Sequence, residues 1–202
     1  MNKLVPPIGI LLIITFTTQS CTLLFFNERD RIRVEYDSVK NTKRITKDFF
    51  YYKTEEKQSP LYSIKQTILK ELKPKGEITY TVYDNLTMNP SAQSLENQLY
   101  LIFFDEIIPI NIKEIEIEQS SNISEEKGTI LTADSTRVSI VKGYTQSNKK
   151  HYKISYQLST EVIQRINYSS KVNFRYYCGP NMITTTLDEN KLNRLKEMIA
   201  AK

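Results

Sequence analysis

The feature that most limits the fold of this chain is a period of two in its apolar residues, repeated at several points. Ile32, Val34 and Tyr36 alternate with Arg31, Arg33 and Glu35. Tyr152, Ile154, Tyr156 and Leu158 alternate with Lys153, Ser155 and Gln157, and Val172, Phe174, Tyr176 and Cys178 repeat the pattern. Successive side chains of a strand point to opposite faces, so this alternation puts one face in a core and the other in water. Antiparallel sheets carry that pattern, whereas buried parallel strands read as continuous apolar runs. Aromatic residues, 13 Tyr and 8 Phe, favour strands further, and 5 Gly leave little room for glycine-repeat architectures. The expected fold is α+β and mainly antiparallel β, a sandwich-like or meander sheet.

Two helices complete this expectation. Ser159-Thr160-Glu161 offers a hydroxyl cap and an acid in the first turn, which predicts a short helix over 159–168 buried through Val162, Ile163 and Ile166. Asp188 is placed to cap a C-terminal helix with Leu192, Leu195, Met198 and Ile199 on its apolar face. Leu61–Leu72 allows two readings. Ile64, Ile68 and Leu72 have helical spacing, but Lys73-Pro74-Lys75-Gly76 can turn a hairpin into Ile78, Tyr80 and Val82, which favours a strand.

The remaining segments follow the same logic. Phe49–Tyr52 reads as a short strand, and the continuous apolar run Leu99–Phe104 as one covered on both faces at the sheet centre. Ile110 and Ile112 fall on one parity and Ile115 and Ile117 on the other, which predicts a bulge at Lys113-Glu114. Polar stretches Lys53–Ser59, Asn85–Asn97 and Gln119–Gly128 read as loops. A strand through Val138 and Ile140 is expected to turn at Thr145–Asn148 and return through Tyr152, and Gly179-Pro180-Asn181 to turn into Ile183–Leu187.

The first twenty-one residues give an address. Lys3 precedes an apolar run from Leu4 to Phe16, and small or polar residues lead to Cys21. That is the layout of a secretory signal. The run is too short to span about 30 Å of hydrocarbon, which takes about 20 helical residues. Its ending, Thr18-Gln19-Ser20-Cys21, resembles the lipobox of bacterial lipoprotein precursors. The resemblance implies cleavage before Cys21, a diacylglyceryl thioether on its sulfur and acylation of the new amino group. It divides the chain into a signal peptide over 1–20, a lipid-anchored tether over 21–30 and a single β-rich domain over 31–202. Thr22 is not the Asp that retains such proteins at the inner membrane, so the resemblance points to the periplasmic face of the outer membrane. Two other readings of this segment stand beside it: ordinary cleavage into a soluble exported protein, and an uncleaved anchor extended by Leu23–Phe26. Arg29, Arg31 and Arg33 beyond such an anchor oppose the orientation that Lys3 sets.

Charge and cysteine use narrow the chemistry. The formal net charge is +5, dispersed along the chain, and loss of residues 1–20 removes Lys3 and no acid. Cation and aromatic residues do interleave in Asn148–Lys153 and Lys171–Tyr176, but a solvated strand face accounts for them, and no nucleic-acid partner is expected. With Cys21 lipidated, Cys178 has no partner for a disulfide, and the domain stands on its apolar core.

No strong catalytic signature emerges. His151, the only histidine, sits on a polar strand face, where a solvated role suits it better than general base. Cys178 reads as a small inward apolar residue. The ligands of a zinc site and the glycine loop of a phosphate site are missing, so no cofactor is expected. Glu114, Glu116 and Glu118 read as a solvated face. Two functional readings remain. One is a non-catalytic envelope protein that binds a protein or glycan partner or supports an assembly, with Arg175 and Tyr177 as a partner surface. The other is an envelope hydrolase using Asp105 and Glu106, which follow the apolar run Leu99–Phe104.

Overall fold

A computed structural model describes residues 31–52 and 59–202. The expected signal peptide over 1–20, Cys21 and the expected tether over 21–30 lie outside the described residues, as do residues 53–58 of the expected Lys53–Ser59 loop. Among the described residues ten antiparallel strands and two α-helices follow in the order β1 (Arg33–Asp37), β2 (Thr42–Tyr52), β3 (Leu61–Leu72), β4 (Ile78–Met88), β5 (Leu95–Ile102), β6 (Ile107–Asn111), β7 (Glu114–Leu131), β8 (Arg137–Leu158), α1 (Thr160–Tyr168), β9 (Val172–Cys178), β10 (Asn181–Leu187) and α2 (Glu189–Ala200). They form a six-stranded sheet, β1-β2-β3-β4-β8-β7, and a four-stranded sheet, β10-β9-β5-β6. The α+β, mainly antiparallel expectation is met.

Parity explains the core. Ile45, Phe49, Ile64, Ile68, Val82, Leu86, Tyr152, Ile154 and Tyr156 occupy alternate positions of the large sheet and are buried. Leu99, Leu101, Val172, Phe174, Tyr176 and Ile183 do the same in the small sheet, and both sets join one apolar cluster. Helix α2 packs on β2, β10 and α1, so it closes one side of the sandwich. Asp188 caps it by accepting the Lys191 N–H at 2.9 Å, and Ser159 caps α1 by accepting the Val162 N–H. At the other end of α2, Lys70 Nζ donates to the carbonyls of Ile199 and Ala201 at 2.6 and 2.7 Å. A cation there complements the negative end of the helix dipole.

Leu61–Leu72 is a strand. The turn after it uses Lys75 and Gly76 with φ of +76° and +80°, a left-handed pair that glycine adopts without steric penalty.

Several expectations need correction. Gln119–Gly128 is not a loop, and Thr145–Asn148 is not a turn: both lie inside the long β7–β8 ladder, whose turn falls at residues 132–136. Asp134 accepts the Thr136 N–H in that turn. The distal ladder is wet on both faces, so burial imposes no alternation there. Asn85–Asn97 shrinks to a connection over 89–94, because Asn85 faces outward on β4 and β5 starts at Leu95. The slip at Lys113-Glu114 is a change of sheet rather than a bulge: β6 ends in the small sheet and β7 begins in the large one. Strand β5 is interior to the small sheet and covered on one face only, with Phe104 fully exposed beyond its end. Strand β1 lies at an edge with Val34 and Tyr36 exposed, and Ile32, which packs against the core, precedes the strand.

Candidate functional site

Two polar arrangements stand out, one sealed and one open. The sealed one centres on Asp84, which occupies an inward position of β4 between Val82 and Leu86. Its Oδ2 accepts the Tyr176 hydroxyl at 2.7 Å and the Tyr156 hydroxyl at 2.9 Å. Those tyrosines come from β9 and β8, so one carboxylate ties the two sheets together across the core. Gln66 of β3 donates from Nε2 to Tyr156 at 3.3 Å and accepts the Tyr51 hydroxyl at 3.2 Å. Asp84 Oδ1 has no hydrogen-bond partner among the described residues. Burial pushes the Asp84 carboxyl up to about 6, although the tyrosine hydroxyls favour its ionised form. The same burial, and then the nearby Asp84 charge, drive the hydroxyls of Tyr156 and Tyr176 well above their ordinary value.

The open arrangement is a groove of about 640 Å³ on the outer face of the large sheet. Lys65 and Thr67 reach it from β3, Tyr83 and Asn85 from β4, and Glu116 and Lys153 from β7 and β8. Asp84 lies in its floor with the carboxylate turned inward to the core tyrosines. Every second residue of each strand faces outward, which brings these side chains together from positions far apart in the chain.

Ion pairs pattern the groove. Lys153 Nζ lies 2.8 Å from Glu118 and 3.8 Å from Glu116, and Ser155 donates to Glu114 at 3.1 Å. Lys65 lies 3.4 Å from Asp48, which also takes Arg33 at 3.1 Å and the Thr67 hydroxyl at 2.7 Å. Burial raises the Asp48 carboxyl, but these bonds and the Lys65 charge outweigh it and hold the group below its ordinary value. The surface therefore offers hydroxyls, an amide, both charge signs and the exposed Tyr83 ring on one face of the sheet. Such a face can hold a ligand by hydrogen bonds and ring contact. It does not aim two buried acids at one point.

The residues singled out from sequence fall in separate places. Asp105 is exposed in the turn between β5 and β6, and Glu106 beside it is held 2.6 Å from Arg165 of α1. Neither belongs to the groove lining. His151 sits on the outer face of β8 with Nδ1 3.2 Å from Thr87 Oγ1 and Nε2 3.0 Å from Ser120 Oγ. Cys178 points inward, and its thiol donates to the Gln93 carbonyl at 2.6 Å. Burial raises that thiol above its ordinary value. Arg175 and Tyr177 lie on the outer face of the small sheet, where Arg175 Nε donates to Thr184 at 3.2 Å and Tyr177 packs edge-on against Tyr100 with centroids 5.6 Å apart. Sequence reasoning passed over Asp84, whose signal was an acid at the apolar parity of Tyr80, Val82 and Leu86.

No family model, curated protein or solved structure matches this chain. The site's chemistry therefore rests on its own geometry.

Proposed function

We propose that this chain is a lipid-anchored protein of the bacterial cell envelope that binds a protein or glycan partner without catalysis. In this reading residues 1–20 are removed, Cys21 carries the acyl chains, and the β-rich body presents its outer sheet faces to the partner. The membrane concerned is the outer one, on its periplasmic side. The observation that carries the non-catalytic reading is the separation of the two polar arrangements. The carboxylate with a raised pKa, Asp84, is locked to tyrosines inside the core, while the exposed acids of the groove, Glu114 and Glu116, are paired with the Ser155 hydroxyl and with Lys153. An enzyme built on carboxylates needs a tuned acid that reaches substrate. Among the described residues no helix is long and apolar enough to cross a membrane, so in this reading attachment falls to Cys21.

Intact-mass analysis of the membrane fraction tests the anchor. The expected product starts at Cys21 and carries added acyl mass, and Cys21→Ala lacks both. An unmodified chain that still begins at Met1 would overturn this reading.

A further inference from the structure

Strands β7 and β8 continue past the body. Strand β4 pairs with β8 only from Lys150 to Leu158, so residues 119–149 form a two-stranded arm that no other strand of the described residues covers. At about 3.3 Å per residue the arm reaches roughly 40 Å. Its side chains include exposed Ile123, Leu131, Val141 and Tyr144. A two-stranded ribbon in water is marginal, and an uncovered strand edge is a template for another strand.

Charge separates the two edges. Strand β7, which ends the large sheet, carries Glu114, Glu116, Glu118, Glu125 and Glu126 against one base, Lys127. The arm portion of β8 carries Arg137, Lys142 and Lys149 and no acid. Within the body, Glu116 and Glu118 share Lys153, while among the described residues Arg137, Lys142 and Lys149 pair with no acid. Like strands from two copies would set acid against acid or base against base. Only β7 against β8 sets opposite signs side by side, and like-charge juxtaposition is a strong bar to the alternatives.

We infer that a second copy of this chain docks here, laying the basic β8 edge of its arm against the acidic β7 edge of its neighbour's body. Because β7 and β8 are antiparallel, two copies in the same orientation, displaced by about one arm length, make this contact antiparallel. The interface is heterologous, so each added copy leaves one β7 edge open and the assembly grows with concentration. This holds whether or not Cys21 is acylated, and its failure would leave the anchor intact.

Sedimentation of the full chain in detergent micelles over a concentration series tests it, with circular dichroism confirming that each variant is folded. Wild type is expected to form species beyond the dimer that weaken as salt is raised. Glu114→Lys with Glu116→Lys, and separately Lys142→Glu with Lys149→Glu, are each expected to weaken self-association at least tenfold. An equimolar mixture of the two variants restores it, because each then offers an edge opposite in sign to the other's arm. A wild type that stays monomeric, a closed dimer that neither reversal weakens, or a mixture that stays apart after both reversals have acted would overturn the inference.

Discussion

The two ends of the same strand pair behave as different materials. Near the body, β8 contributes Tyr152, Ile154 and Tyr156, all buried between two sheets, and β4 covers its edge. Beyond Lys150 the same strand has water on both faces, and none of its aliphatic residues joins the apolar cluster of the described residues. Backbone pairing is alike in the two regions. What differs is burial, and stability is expected to follow it, since a hydrogen bond exchanged with water nets only about 1 kcal/mol.

The largest expected effect comes from breaking the body. Phe174→Ala removes a fully buried ring and leaves a cavity, which costs about 3–5 kcal/mol. Urea denaturation followed by circular dichroism reads it directly.

The next concerns the charge inside that body. An acid whose folded pKa exceeds its unfolded value binds its proton more tightly when folded, so stability falls as pH rises between the two values. For Asp84 that window runs from 3.8 to about 6. Asp84→Asn keeps the shape and removes the buried charge, and is expected to stabilise the protein above pH 6 by up to about 3 kcal/mol. The variant's unfolding midpoint also loses its fall across the window. Asp84→Ala, which leaves two buried tyrosine hydroxyls without the acceptor for their protons, is expected to destabilise instead.

Smaller effects sharpen the contrast. Asp188→Ala deprives α2 of its cap and costs about 1 kcal/mol by the same denaturation assay. Ile123→Ala, in the arm, changes stability by less than about 0.5 kcal/mol. An arm that behaved like the body would lose several times that.

The same contrast marks what the sequence disclosed. Strands with one dry face, such as β8 near Tyr156 and β9, show their parity plainly, and the caps Ser159 and Asp188 announce both helices. The arm hid because its residues answer to no core: Gln119–Gly128 has the composition of a loop and the geometry of a ladder. The crossing between sheets at Lys113 imitated a bulge, since both shift parity. The groove was illegible for another reason. Its side chains come from four strands, and Lys65 meets Lys153 only once the order β3-β4-β8-β7 is known. Asp84 was legible in principle, as a charge at an apolar position.

Backbone hydrogen exchange read by mass spectrometry, on the full chain in micelles at low and high protein concentration, probes the central claim most directly. Amides of β3, β4 and β9 are expected to exchange slowly at both concentrations, and those of residues 119–149 rapidly when dilute and slowly when concentrated. Arm amides as protected as the body in dilute solution, or unprotected at every concentration, would contradict an account in which the body holds itself together and the arm waits for a neighbour.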